Sequence, residues 1–152
     1  MSSNAIQLAG MIRHDTKSFG ITWVALCIAL AVHVTDEALT DFLSVYNPAV
    51  LAIRRHFPLL PFPTFTFEVW LTGLILAVVV LLSLSTFAFQ GARWLVPLTY
   101  LFGFMMLGNG VLHIGGSVYL GRLMPGVYSA PLLLAGSLYL LASVHNRRKG
   151  NQ

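Results

Sequence analysis

Four long stretches of this chain, residues 18–32, 69–92, 94–112 and 123–144, carry no charged side chain. About 20 apolar residues are enough to cross the hydrocarbon of a bilayer, where each backbone polar group must be satisfied within the segment. The sequence therefore predicts an all-α integral membrane four-helix bundle, one transmembrane domain over residues 1–152, with helices at about 17–43, 67–89, 94–120 and 127–146. The first helix is complete only if it continues through the polar residues that follow Val32. Composition excludes a soluble domain: 57% of residues are hydrophobic and 9% charged, and the mean hydropathy is +0.77.

The formal charge of +4 reads as topology. No basic stripe interleaves with aromatic residues, so nucleic acid is excluded as a partner. With an even number of helices, Arg13, Lys17, Arg93, Arg147, Arg148 and Lys149 share one side, and Arg54, Arg55 and Arg122 the other. The positive-inside rule then puts both termini in the cytoplasm, in a bacterial-type inner membrane. Arg13 and Lys17 ahead of an apolar run ending Ala29-Leu30-Ala31 imitate a signal peptide. We read that run as the first membrane helix. Cys27, alone and flanked by Leu26 and Ile28, offers neither a disulfide nor a CxxC pair.

Between the long helices, Asn47-Pro48 is expected to break the first helix, because the residue before proline avoids the helical region. Pro48 to His56 then forms a short interfacial helix with Arg54, Arg55 and His56 at the headgroups. Pro58, Pro61 and Pro63 hold the next stretch extended. Gly108, Gly110, Gly115 and Gly116 crowd the far half of the third long helix, where small residues let helices approach closely.

Ionisable groups within a membrane helix are expensive and mark working sites. His33, Asp36 and Glu37, spaced i, i+3 and i+4, share one helical face. From the helical rise, His33 and Glu37 lie roughly 21 and 27 Å beyond Phe19, and Asn109 and His113 roughly 22 and 28 Å beyond Trp94. Glu68 opens its helix from the same outer side. Three helices are thus expected to bring His33, Asp36, Glu37, Glu68, Asn109 and His113 to one level around a cavity. From the last helix only Tyr128 is expected to reach it; Ser129, Ser137, Tyr139 and Ser143 are read as packing.

His and carboxylates are the ordinary materials of proton transfer. The first expectation is an intramembrane enzyme working without a cofactor, by acid–base chemistry of isomerase or cyclase type, on an apolar lipid or terpenoid. Its catalytic residues are His33, Glu37, Glu68 and Asp36, and its substrate-binding residues Asn109, His113 and Tyr128. The second is a metal-dependent membrane hydrolase or oxidase, with His33, Glu37 and His113 holding Zn, Fe or Mn. The third is a non-enzymatic lipid-binding or structural protein. Homo-oligomerisation stays open.

His33-Val34-Thr35-Asp36-Glu37 resembles the motif of the HXXEE family of small multi-helix membrane proteins, with Asp36 in place of the first acid. The resemblance continues in Asn109-Gly-Val-Leu-His113 and in Pro125-Gly126, and spans most of the chain. It supports the site without naming a reaction. A fainter likeness is to the emopamil-binding-protein (EXPERA) group: His33, Glu37, Glu68 and Asn109 could fill that pattern in order. It implies proton-relay chemistry on a polycyclic or isoprenoid substrate.

Overall fold

The computed structural model describes residues 3–150, with side chains over residues 16–147. Every regular element among them is helical: α1 Ser3–Leu39, α2 Leu43–His56, α3 Phe67–Ser83, α4 Ser85–Phe89, α5 Leu95–Leu120 and α6 Ala130–Gly150. Three spans are long and apolar enough to cross a membrane: Thr16–Leu39, Phe67–Phe89, in which α4 continues α3, and Leu95–Leu120. The side chains of Arg13, Arg148 and Lys149, three of the cations in the charge argument, lie outside the described residues.

α1 is the central helix. Its apolar span is 56% buried, against 11% for Phe67–Phe89 and 28% for Leu95–Leu120. Phe19, Trp23, Leu26 and Leu30 of α1 pack with Phe102 of α5 and Leu133, Leu140 and Val144 of α6. The Trp23 indole N–H donates to the Leu81 carbonyl at 2.8 Å, tying α1 to α3. Outward-facing Ile75, Leu76, Val79 and Val80 of α3 are exposed, as suits a helix whose other side meets lipid. Within α5, Gly110 makes the close approach to α6: a Cβ there would meet Leu134 Cδ2 at 2.8 Å and the Ala130 carbonyl at 3.2 Å. Gly108 and Gly115 meet nothing within 4 Å, so only part of the glycine run serves packing.

One end of the molecule gathers Arg147, whose guanidinium lies 4.5 Å from the Phe19 ring centroid and donates to the Gly91 carbonyl at 3.2 Å. The opposite end gathers the C-terminus of α1, the start of α3, the end of α5 and residues 125–129. The polar residues meet there.

The chain turns earlier than expected. α1 ends at Leu39 rather than near 43, and the break falls at 40–42, where Asp41 has φ 56°. A left-handed residue terminates a helix, and aspartate is among the few non-glycine types that tolerate it. Pro48 lies inside α2 rather than at its start. Asn47 stays helical despite the proline that follows, and its side chain reaches across the loop: its amide donates to the Phe65 carbonyl at 3.0 Å and its oxygen accepts from Phe65 N at 3.1 Å. That clamp folds the proline-rich segment back onto α2. α6 begins at Ala130, three residues later than expected, after turns over 125–129.

Candidate functional site

His33 and Glu37 stand one turn apart on α1, both buried, and His113 projects from α5 to meet them. Glu37 Oε1 is 3.0 Å from His113 Nε2 and 3.5 Å from His33 Nε2. The two imidazoles meet edge to face, centroids 4.7 Å apart. Phe42, just past α1, packs on His113 at 5.7 Å and on Trp70 at 5.8 Å between ring centroids, closing the group from one side.

What each imidazole does with its other nitrogen fixes its tautomer. His113 Nδ1 lies 2.5 Å from the Pro125 carbonyl; a carbonyl only accepts, so Nδ1 carries a proton. His33 Nδ1 lies 2.8 Å from Ser129 Oγ. The Ser129 hydroxyl has one proton, and the Asp36 carboxylate, an acceptor only when ionised, takes it at 2.7 Å. Ser129 Oγ must therefore accept from His33, and that Nδ1 is also protonated. In their neutral forms both histidines turn a bare Nε2 lone pair toward Glu37 Oε1.

The three inward atoms lie within 4.8 Å of one another. His33 Nε2 is buried with no hydrogen-bond partner. Leaving a buried polar atom unmet costs about 1–3 kcal/mol, so with neutral imidazoles the group needs positive charge at its centre, which either a proton on a histidine or a bound cation would supply. Donors about 2.0–2.1 Å from one ion are separated by roughly 3.0–3.4 Å in octahedral or tetrahedral arrangements; the spacings of Glu37 with the two histidines are close to this, while the widest separation in the group, up to 4.8 Å, must shorten for all three to share an ion. The outer bonds match as well: histidine ligands ordinarily donate their second N–H to a carbonyl or a carboxylate. Here Pro125 serves one histidine directly, and Asp36 the other through Ser129.

Asp36 has a second task. It accepts from the backbone N–H of Ser129 at 2.8 Å, immediately before α6, where a negative charge suits the helix dipole. One carboxylate thus fastens α6 to α1 and fixes a histidine tautomer. Thr40 completes the frame by accepting from Gly126 N at 3.2 Å. Gly126 itself has φ 80°, and a Cβ there would meet His113 Cε1 at 2.8 Å and Glu37 Cγ at 2.9 Å.

Of the residues expected to converge, His33, Glu37 and His113 form the group and Asp36 supports it. Asn109, one turn before His113, lies on the wall of an apolar cavity that Glu37 also lines. Glu68 is exposed in the first turn of α3 and Tyr128 is 68% exposed; neither joins the group. Helical rise fixes depth but not direction around the axis, and Glu68 shares the level without sharing the face. Ser129, Thr40 and the Pro125 carbonyl were missed. For Ser129 a signal existed: a serine just ahead of an apolar run marks a helix start, and placing that start at 127 hid it inside the helix.

The architecture defines an all-helical membrane-type protein with a buried His/Glu/His group held by an outer layer of hydrogen bonds. The chain belongs to the HXXEE family, described as proteins of unknown function with an HXXEE motif, which matches residues 23–140. No curated protein and no solved structure matches it. The likeness to the emopamil-binding-protein group is not borne out, and the exposed Glu68 leaves that pattern one member short. The motif itself acquires a physical reading here: its histidine and last acid face the centre, while its middle acid, Asp36, holds Ser129.

Proposed function

We propose that this protein is a metal-dependent membrane enzyme in which His33 Nε2, His113 Nε2 and Glu37 Oε1 bind one divalent ion of the Zn, Fe or Mn class. The observation that carries this reading is the pair of pinned tautomers: both Nδ1 atoms are committed as donors, so both Nε2 atoms face the carboxylate as lone pairs. Two His and one carboxylate leave coordination positions open for water and substrate. A polar cavity of about 270 Å³, lined by Thr40, Asp41, Ser44, Arg122 and Pro125, adjoins the outer bonds of the site. Such a cavity supplies water, and hydrolysis of a bilayer-borne substrate fits it better than oxidation does.

In this reading α6 completes a four-helix membrane bundle, and α2 lies in the interface with Arg54, Arg55 and His56 at the headgroups. Both termini are cytoplasmic, which places the site toward the outer leaflet of a bacterial-type inner membrane. A second reading rests on the 3.0 Å contact between Glu37 and His113: without metal, the same pair can pass a proton and run acid–base chemistry on an apolar substrate. Elemental analysis of protein purified without added metal or chelator separates the two. Stoichiometric metal that disappears from His33→Ala and His113→Ala supports the metal enzyme. Metal-free wild-type protein that turns over substrate and loses that activity on Glu37→Gln would replace it with the proton relay.

A further inference from the structure

Beside the His/Glu/His group lies a cavity of about 380 Å³ walled by α1, α3 and α5. Its lining is apolar, with Val34, Leu74, Leu98 and Met105 on its walls, and its two hydrogen-bonding side chains are Glu37 and Asn109. Close backbone packing joins α1 to α3 and α5 to α6, while α5 makes little of it with either α1 or α3, so the cavity is open along α5, beside helices of membrane-spanning length. In a bilayer crossed by these helices, that opening faces hydrocarbon. Asn109 has no hydrogen-bond partner among the described residues, although an amide on an apolar wall otherwise goes unsatisfied.

The shape narrows the occupant. Leu98 and Asn109 bound the cavity along α5, and the distance between them along the helix is roughly 16 Å. The cavity of about 380 Å³ is therefore elongated along α5, a shape that suits a long-chain amphiphile. Polarity is confined to one end, because Asn109 and Glu37 both lie at the level of the His/Glu/His group.

We infer that the α1/α3/α5 cavity is the substrate site for a single-chain lipid, which enters between α3 and α5 with its chain toward Leu98 and its one polar end group beside Glu37 and Asn109. Asn109 is the positioning residue for that end group. This inference rests on the reading of His33, Glu37 and His113 as the reactive centre, but its test is separate.

Full-length protein in detergent is labelled with a long-chain fatty alcohol bearing a photoreactive diazirine in its chain, and the adducts are mapped by mass spectrometry. Adducts are expected on the cavity faces of α3 and α5, competed by an unlabelled single-chain alcohol and not by a sterol or a two-chain phospholipid. Ala77→Trp, which fills the slot from α3, should reduce labelling at least tenfold while metal content stays at the wild-type level. Met105→Trp fills it from α5 should the first variant fail to fold. Asn109→Ala should weaken binding of the alcohol about fivefold, the worth of one hydrogen bond, and leave binding of the alkane of equal length unchanged. Labelling spread over all lipid-facing surfaces and indifferent to both tryptophans would overturn the inference, as would competition by the sterol. Metal lost with labelling intact would instead count against the proposed centre alone.

Discussion

Ser129→Ala tests whether the outer hydrogen bonds serve the centre or merely the packing. The hydroxyl accepts from His33 Nδ1 at 2.8 Å and donates to Asp36 at 2.7 Å. Removing it strands a buried N–H on an imidazole that is 0% exposed, which costs about 1–3 kcal/mol of stability. Asp36 keeps its bond from the Ser129 backbone N–H, so α6 stays attached and the fold survives. His33 is then free to take the other tautomer, with Nε2 protonated and useless as a ligand. Loss of such an outer partner lowers metal affinity about 10–100-fold, or roughly 1.4–2.8 kcal/mol. The assay is Zn²⁺ titration of stripped protein against a competing chelator, alongside thermal unfolding in the same detergent. A lower melting temperature with wild-type metal affinity would refute the tautomer argument, since the bond would then be structural only.

Other perturbations follow from the same geometry. Gly126→Ala combines a left-handed backbone, worth about 1–2 kcal/mol against a side chain, with a methyl driven onto His113 and Glu37; it should lower both melting temperature and metal stoichiometry, and unchanged metal content would show that the loop yields. Asp36→Ala removes both bonds to Ser129 and should destabilise by about 2–4 kcal/mol, more than Ser129→Ala, as denaturation curves would reveal. Glu68→Gln, at an exposed position, should leave metal content and turnover within twofold of wild type; a large loss of turnover would return Glu68 to the site. Asn47→Ala breaks both bonds to Phe65 and should speed proteolysis between residues 57 and 66 without altering metal binding, a result that equal cleavage rates would contradict.

How much was legible in the sequence depended on whether a feature was local. The spans at 67–89 and 95–120 are apolar runs ended by Gly91 and Gly121, both with positive φ, and such runs read directly. The end of α1 did not, because Asn47-Pro48 looks like the stronger breaker, yet Asn47 stays helical and its side chain holds Phe65 across the loop. At the site, His33 and Glu37 declare themselves by i, i+4 spacing, and His113 by its depth. Asp36 could be placed on the right face, yet its partner Ser129 lies 93 positions away. The Pro125 carbonyl is a main-chain atom, which no residue pattern announces. Glu68 misled because depth was inferred without direction.

The central claim is that two histidine Nε2 atoms and one Glu37 oxygen bind a metal ion. It is tested most directly by an experimental structure of the as-purified protein with diffraction recorded across the absorption edges of zinc, iron and manganese. The account predicts one anomalous peak within about 2.0–2.3 Å of His33 Nε2, His113 Nε2 and Glu37 Oε1, with both Nδ1 atoms still on Ser129 and Pro125. No peak at any edge in metal-replete protein, with His113 Nε2 bonded directly to Glu37, would contradict it.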